Sequence, residues 1–177
     1  MYYIRKIVLF IYRLNNNIGK AFSIIIIPMI IFLVYEVFMR YLFNRPTIWA
    51  HELCTFGYSI MFLVGGLFAL RWNEHVKVDV FYSKFSKKTQ CIIDLFTWIL
   101  FYLFVGVMFF GGYEYAYDSV MNMERSYSTW SPYVWPVKVL IPIVGFLMLL
   151  QGLTKTIGDI YFIFVNKELI ESIDREE

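Results

Sequence analysis

Histidine and cysteine, the residues that most often bind metals or carry redox chemistry, occur only twice each in 177 residues. His51 and His75 lie 24 positions apart. Along one helix, at ~1.5 Å per residue, that separation is ~36 Å, so the two cannot face each other across a haem. Cys54 and Cys91 make no CxxC and no metal-ligand spacing. The sequence also lacks a nucleotide-binding loop and an HExxH helix, and no nucleophile stands at readable spacing from an orienting base. Neither enzyme activity nor a cofactor or metal is therefore expected. Charge is scarce as well. Charged residues make up 17% of the chain, where an ordinary globular domain has about a quarter. A net charge of +2 with no basic patch excludes nucleic acid as a partner.

What the chain has instead is apolar and aromatic, 59% and 21% respectively, with a mean hydropathy of +0.59. Its charges gather between long apolar runs. From Leu53 to Leu70 no residue is charged, roughly the run needed to cross the ~30 Å hydrocarbon core as a helix. Trp49 and Trp72 flank that run beside ionisable groups, as at a lipid–water interface. The expected fold is an all-α integral membrane protein forming one domain, with four transmembrane helices and short amphipathic interfacial helices.

Residues 1–17 are expected to lie on the membrane. Arg5, Lys6, Arg13 and Asn16 fall on one helical arc, and Ile4, Ile7, Val8, Phe10, Ile11 and Leu14 cover most of the rest. Arg13 interrupts the apolar stretch and no small-residue cleavage site follows, so a cleavable signal is not expected. The first span is placed at 18–43, with a bend at Pro28. Glu36 and Arg40, four residues apart, are expected to neutralise each other. The second span, 49–70, follows a turn at Asn44-Arg45-Pro46. Glu52 sits near its positive helix end and within reach of Arg40 across the hairpin. Gly65 and Ala69 could admit a neighbouring helix. An interfacial helix is expected at 76–88, with Val78, Phe81, Tyr82 and Phe85 opposed by Lys77, Lys84, Lys87 and Lys88. The third span covers 92–113, and the fourth 136–160 with a kink at Pro142. A charged tail, 165–177, ends the chain. Between the last two spans lies a stiff aromatic segment containing Trp130, Pro132, Trp135 and Pro136. This arrangement puts Cys54 and Cys91 near opposite membrane faces, too far apart for a disulfide.

Orientation follows from basic residues. With the N-terminus inside, twelve of the 16 Lys and Arg are cytoplasmic, and only Arg40, Arg45, Arg125 and Lys138 lie outside. Both termini are then cytoplasmic. Internal repeats and a midplane substrate site, the marks of a self-sufficient carrier, are not evident. The residues alone describe a bundle that binds other membrane helices. An alternative is a small proton-coupled exporter using Glu36 as its carrier carboxylate, against which Arg40 one turn away counts.

A resemblance narrows this reading. The series Glu36-x-x-x-Arg40-Tyr41-x-Phe43-Asn44-x-Pro46-x-x-Trp49-x-x-Glu52 is similar to the DctQ-type small membrane subunit of tripartite ATP-independent periplasmic (TRAP) transporters. So are Ala69-Leu70-Arg71, Glu74-His75-Val76-x-Val78-Asp79, Trp135-Pro136-x-Lys138 and Gln151-Gly152. The likeness covers about residues 15 to 160. It implies a sodium-driven importer of organic acids, carboxylate or sialic-acid-like, in the bacterial inner membrane. A large elevator-type membrane subunit would carry the sodium and substrate sites, and a periplasmic binding protein would deliver the solute. This chain would be a static brace on the large subunit, helping to receive the binding protein, with membrane lipids around it. The resemblance also implies that Arg40, Trp49 and Glu52 lock the outer hairpin. His75 and Asp79 would fix an inner turn, with Trp135 at a further structural position.

Overall fold

The computed structural model describes residues 2–71 and 85–165. Five helices make up most of them: α1 (Tyr2–Ser23), α2 (Ile26–Tyr41), α3 (Ala50–Arg71), α4 (Lys87–Met121) and α5 (Trp135–Val165). Among the described residues there is no strand, only an isolated antiparallel bridge between Arg125 and Tyr133. Four stretches are long and apolar enough to cross a membrane: Val8–Tyr41, Ala50–Leu70, Lys88–Met121 and Trp135–Ile163. The all-helical, four-span architecture expected from composition is therefore present. The expected interfacial helix at 76–88 lies outside the described residues as far as residue 84, as does the tail beyond residue 165.

The first two helices are almost one. Pro28 has no N–H to give to the carbonyl of Ile24, and its ring crowds that carbonyl. Ile24 O accepts instead from Ile27 N at 3.2 Å, and Ile25 N donates to Phe22 O at 3.1 Å. The helix therefore breaks at Ile24–Ile25, one turn before the proline. No break falls at the expected boundary between residues 17 and 18. At 16 residues, α2 rises only ~24 Å, so the last turns of α1 must complete the crossing. α1 also packs on protein: Val8, Ile11, Tyr12, Asn15 and Asn16 are buried where it lies across α3 and α5. Asn16, expected on the polar arc, is thus inside.

The helices pack as an open series. α2 lies on α3, α3 on α5, and α5 along most of α4. The buried core is Val64, Leu67 and Leu70 of α3, Val105 of α4, and Val144 and Met148 of α5, with Ile18 and Phe22 of α1 against it. Lipid tails are as apolar as these side chains, so close fit rather than water exclusion holds such helices together. The α4–α5 seam shows it. A Cβ on Gly112 would sit 2.7 Å from Ile141 Cγ2, and one on Gly152 would sit 2.8 Å from Phe101 Cε1. α4 starts at an N-cap, where Ser86 Oγ accepts from Thr89 N at 3.3 Å. α5 continues through Pro142.

Candidate functional site

The connections at residues 42–49 and 122–134 lie at the same end of the helix series, and a group of polar contacts between elements gathers there. In the first, Asn44 takes the left-handed conformation (φ 52°), which asparagine tolerates, and Arg45 N donates to Met39 O at 2.9 Å. This turn brings Thr47 back onto α2. Glu36, buried near the end of α2, then accepts on one carboxylate from four donor atoms of two residues, Arg40 and Thr47. Arg40 reaches one oxygen with Nη2 at 2.6 Å and Nε at 3.0 Å. Thr47 N donates to the other at 2.9 Å, and the Thr47 hydroxyl donates to it as well. Trp49 closes the hairpin by lying on Tyr35 (ring centroids 5.8 Å, planes 26° apart) and edge-on to Phe32 (5.7 Å, 85°).

The second connection is a small hairpin. α4 ends in a Schellman turn with Met123 in the left-handed position (φ 45°), Met123 N donating to Val120 O and Glu124 N to Ser119 O. Ser126 N donates to Pro132 O at 2.8 Å, and Val134 N to Glu124 O at 3.0 Å. The Arg125 guanidinium sits 4.1 Å from the Tyr133 ring centre and donates to the Tyr133 hydroxyl. Tyr127, at the tip, is fully exposed. Two charge-assisted contacts fix this hairpin to the helices. Lys138 Nζ donates to Glu124 Oε2 at 2.5 Å while lying 3.7 Å from the Tyr115 ring centre. Ser128 Oγ donates to Glu52 Oε2 at 2.5 Å. The Lys138 ammonium holds the Glu124 carboxyl below its ordinary value of 4.5.

The residues singled out from the sequence are therefore partly joined. Glu36 and Arg40 pair as expected. Glu52 does not meet Arg40: it faces the second connection, and Thr47 takes the place it was expected to fill. Trp49 packs on α2, and Trp135 opens α5. His75 and Asp79 lie outside the described residues. Thr47, Ser128 and Glu124 were not foreseen, because nothing periodic in the sequence links them to their partners. Away from that end, further polar ties cross between helices, among them Tyr102 to Thr156 at 2.7 Å between α4 and α5. Asn15 Nδ2 donates to Gln151 Oε1 at 2.8 Å, joining α1 to α5. Trp98 Nε1 donates to Asp159 Oδ2 at 3.0 Å, joining α4 to α5. An open groove of about 480 Å³ between α4 and α5 is lined by aromatic, proline and aliphatic side chains, including Tyr113, Tyr117, Pro142 and Phe146. No charged side chain lines it to orient a solute.

The family model for the DctQ component of tripartite ATP-independent periplasmic transporters matches residues 29–161, a stretch that includes both connections. The chain belongs to this family. As a DctQ component it is a small permease subunit of a TRAP transporter, a multi-pass membrane protein of transport. It is similar to the sialic acid TRAP transporter small permease protein SiaQ of Vibrio cholerae serotype O1, at 25% identity over 130 residues, 71% of this chain and 75% of that protein. It is also similar to the sialic acid TRAP transporter permease protein SiaT of Haemophilus influenzae, at 22% identity over 148 residues. That match takes in 80% of this chain but only 22% of the longer protein.

Proposed function

We propose that this DctQ subunit is the static brace of a sodium-driven importer of organic acids in the bacterial inner membrane. On this reading the solute is a carboxylate, sialic-acid-like or otherwise, carried by a large elevator-type membrane subunit. A periplasmic binding protein visits transiently, and both termini are cytoplasmic. The observation that carries the reading is the clamped end of the helix series. Glu36, Arg40 and Thr47 tie α2 to the α2–α3 turn, Glu52 and Ser128 tie α3 to the second connection, and Glu124 and Lys138 tie that connection to α5. A chain of such ties resists relative movement of the helices, which suits a support better than a mover. In the same reading Arg40, Trp49 and Glu52 belong to the outer lock, Trp135 starts the last helix beneath it, and His75 and Asp79 fix the inner turn.

The exporter alternative needs a carboxylate free to take and release a proton, and Glu36 is engaged by both Arg40 and Thr47. Reconstitution separates the two. Proteoliposomes holding this chain alone should show no uptake of sialic acid or a dicarboxylate under a sodium gradient, and no proton-coupled efflux. Adding the large permease and the binding protein should restore sodium-dependent uptake. Arg40→Ala and Glu52→Ala should lower the yield of that complex. Flux from the chain alone would overturn the proposal.

A further inference from the structure

The exposed residues of α3 form a single narrow strip. From Ala50 to Leu70 only His51, Thr55, Tyr58, Phe62 and Gly65 are exposed, and all other positions are buried or half-buried. Their spacing of four, three, four, three keeps them within an arc of roughly 80° at ~100° per residue. It is also the spacing of a seam between helices that cross at ~20°. The outer helices differ in width and in chemistry. α2 exposes adjacent pairs such as Ile26 with Ile27, Ile30 with Ile31 and Leu33 with Val34. α4 does the same with Ile99 and Leu100, then Leu103 and Phe104. Those broad arcs, apolar at every exposed position over residues 26–34 and 99–110, suit lipid. The α3 strip is one residue wide and carries an imidazole, two hydroxyls and a glycine.

We infer that this strip seats one transmembrane helix of the large permease subunit. The inference rests on the brace reading above and says which face of the subunit does the bracing. Three features favour a helix over lipid. Tyr58 is 67% exposed and makes no hydrogen bond among the described residues. Eight residues into the helix, its Cα lies ~12 Å along α3, and a neighbouring helix can offer the hydroxyl a polar partner where lipid tails offer none. Gly65 leaves a notch, since a Cβ built there meets nothing within 4 Å, so a facing backbone can come close. Thr55 and Ser59 donate back to the carbonyls of His51 and Thr55 at 3.0 and 2.8 Å, which leaves their surfaces compact. The occupant is indicated by the Haemophilus permease. The part similar to this chain is 22% of that polypeptide, so a segment of this kind belongs there with a much longer permease.

The test uses the chain co-expressed with its large permease. A photo-crosslinking residue at Tyr58 or Phe62 should attach to the large subunit, and the same residue at Phe104 should not. Gly65→Leu fills open space in the subunit by itself, so the isolated chain should melt where the wild type does. In the complex the added side chain meets the seated helix, and co-purified large subunit should fall roughly tenfold or more. Crosslinks from Tyr58 and Phe62 only to lipid or to a second copy of this chain would overturn the inference. So would crosslinking from Phe104 alone, or wild-type complex yield from Gly65→Leu. In each of those cases the wild-type complex still forms and the brace reading stands. If the wild-type chain does not co-purify with the permease at all, the brace reading falls and takes this inference with it.

Discussion

The clearest single-residue consequence lies with Glu124. Its carboxyl titrates below the ordinary 4.5 because the Lys138 ammonium donates to it. A depressed folded value means that the contact stabilises the fold in full above pH 4.5, and that this contribution is lost as pH falls through the folded value. Amide exchange at Ser126 and Val134, corrected for intrinsic rates, should therefore stay constant from neutral pH down to about 4.5, accelerate as pH falls from there through the folded value, and level off below it. In Glu124→Gln the acid step should be missing. None of this was legible in the sequence. Glu124 and Lys138 are 14 residues apart, and Glu52 and Ser128 are 76 apart, with no periodicity to relate either pair. Only the folded course of the second connection brings them together. Glu36 and Arg40 could be foreseen because an i, i+4 pair on a helix is a local fact.

Among the elements, the spans were readable because their length and polarity are set by the bilayer, and composition reports both. Their ends were less so. Pro28 was a sound signal for an interruption, but a proline acts on the carbonyl four residues earlier, so the break appears at Ile24–Ile25. Helix α1 read as a membrane-surface segment because its basic residues share an arc. Asn15, the residue that ties it to α5 through Gln151, has no signature apart from its partner. The α4–α5 seam gives a test of packing at this scale. Gly112→Leu drives a side chain into Ile141 and the Pro142 backbone. Overpacking of this kind costs about 1–3 kcal/mol. Denaturation of the purified subunit should show that loss, and Gly111→Leu, where nothing lies within 4 Å of an added Cβ, should not.

At the scale of the whole molecule, the helix series stays open, with α2 and α4 at its two ends and α1 across its middle. The orientation proposed for it has a direct check. Ser131→Cys in the second connection should react in intact spheroplasts with a thiol reagent that cannot cross membranes, and Lys6→Cys in α1 should react only after the membrane is opened. The reverse pattern would invert the topology. The length of α4 bears on the same geometry. At 35 residues it rises ~52 Å, and its uncharged part, between Asp94 and Glu114, is the only portion suited to hydrocarbon. About two turns then stand clear of the oil beyond Glu114, carrying the Arg125–Tyr133 knuckle like the head of a mast. A water-borne visitor coming from that side would touch aromatic protein ~12 Å before it reached any fat, and could moor without wetting itself in lipid.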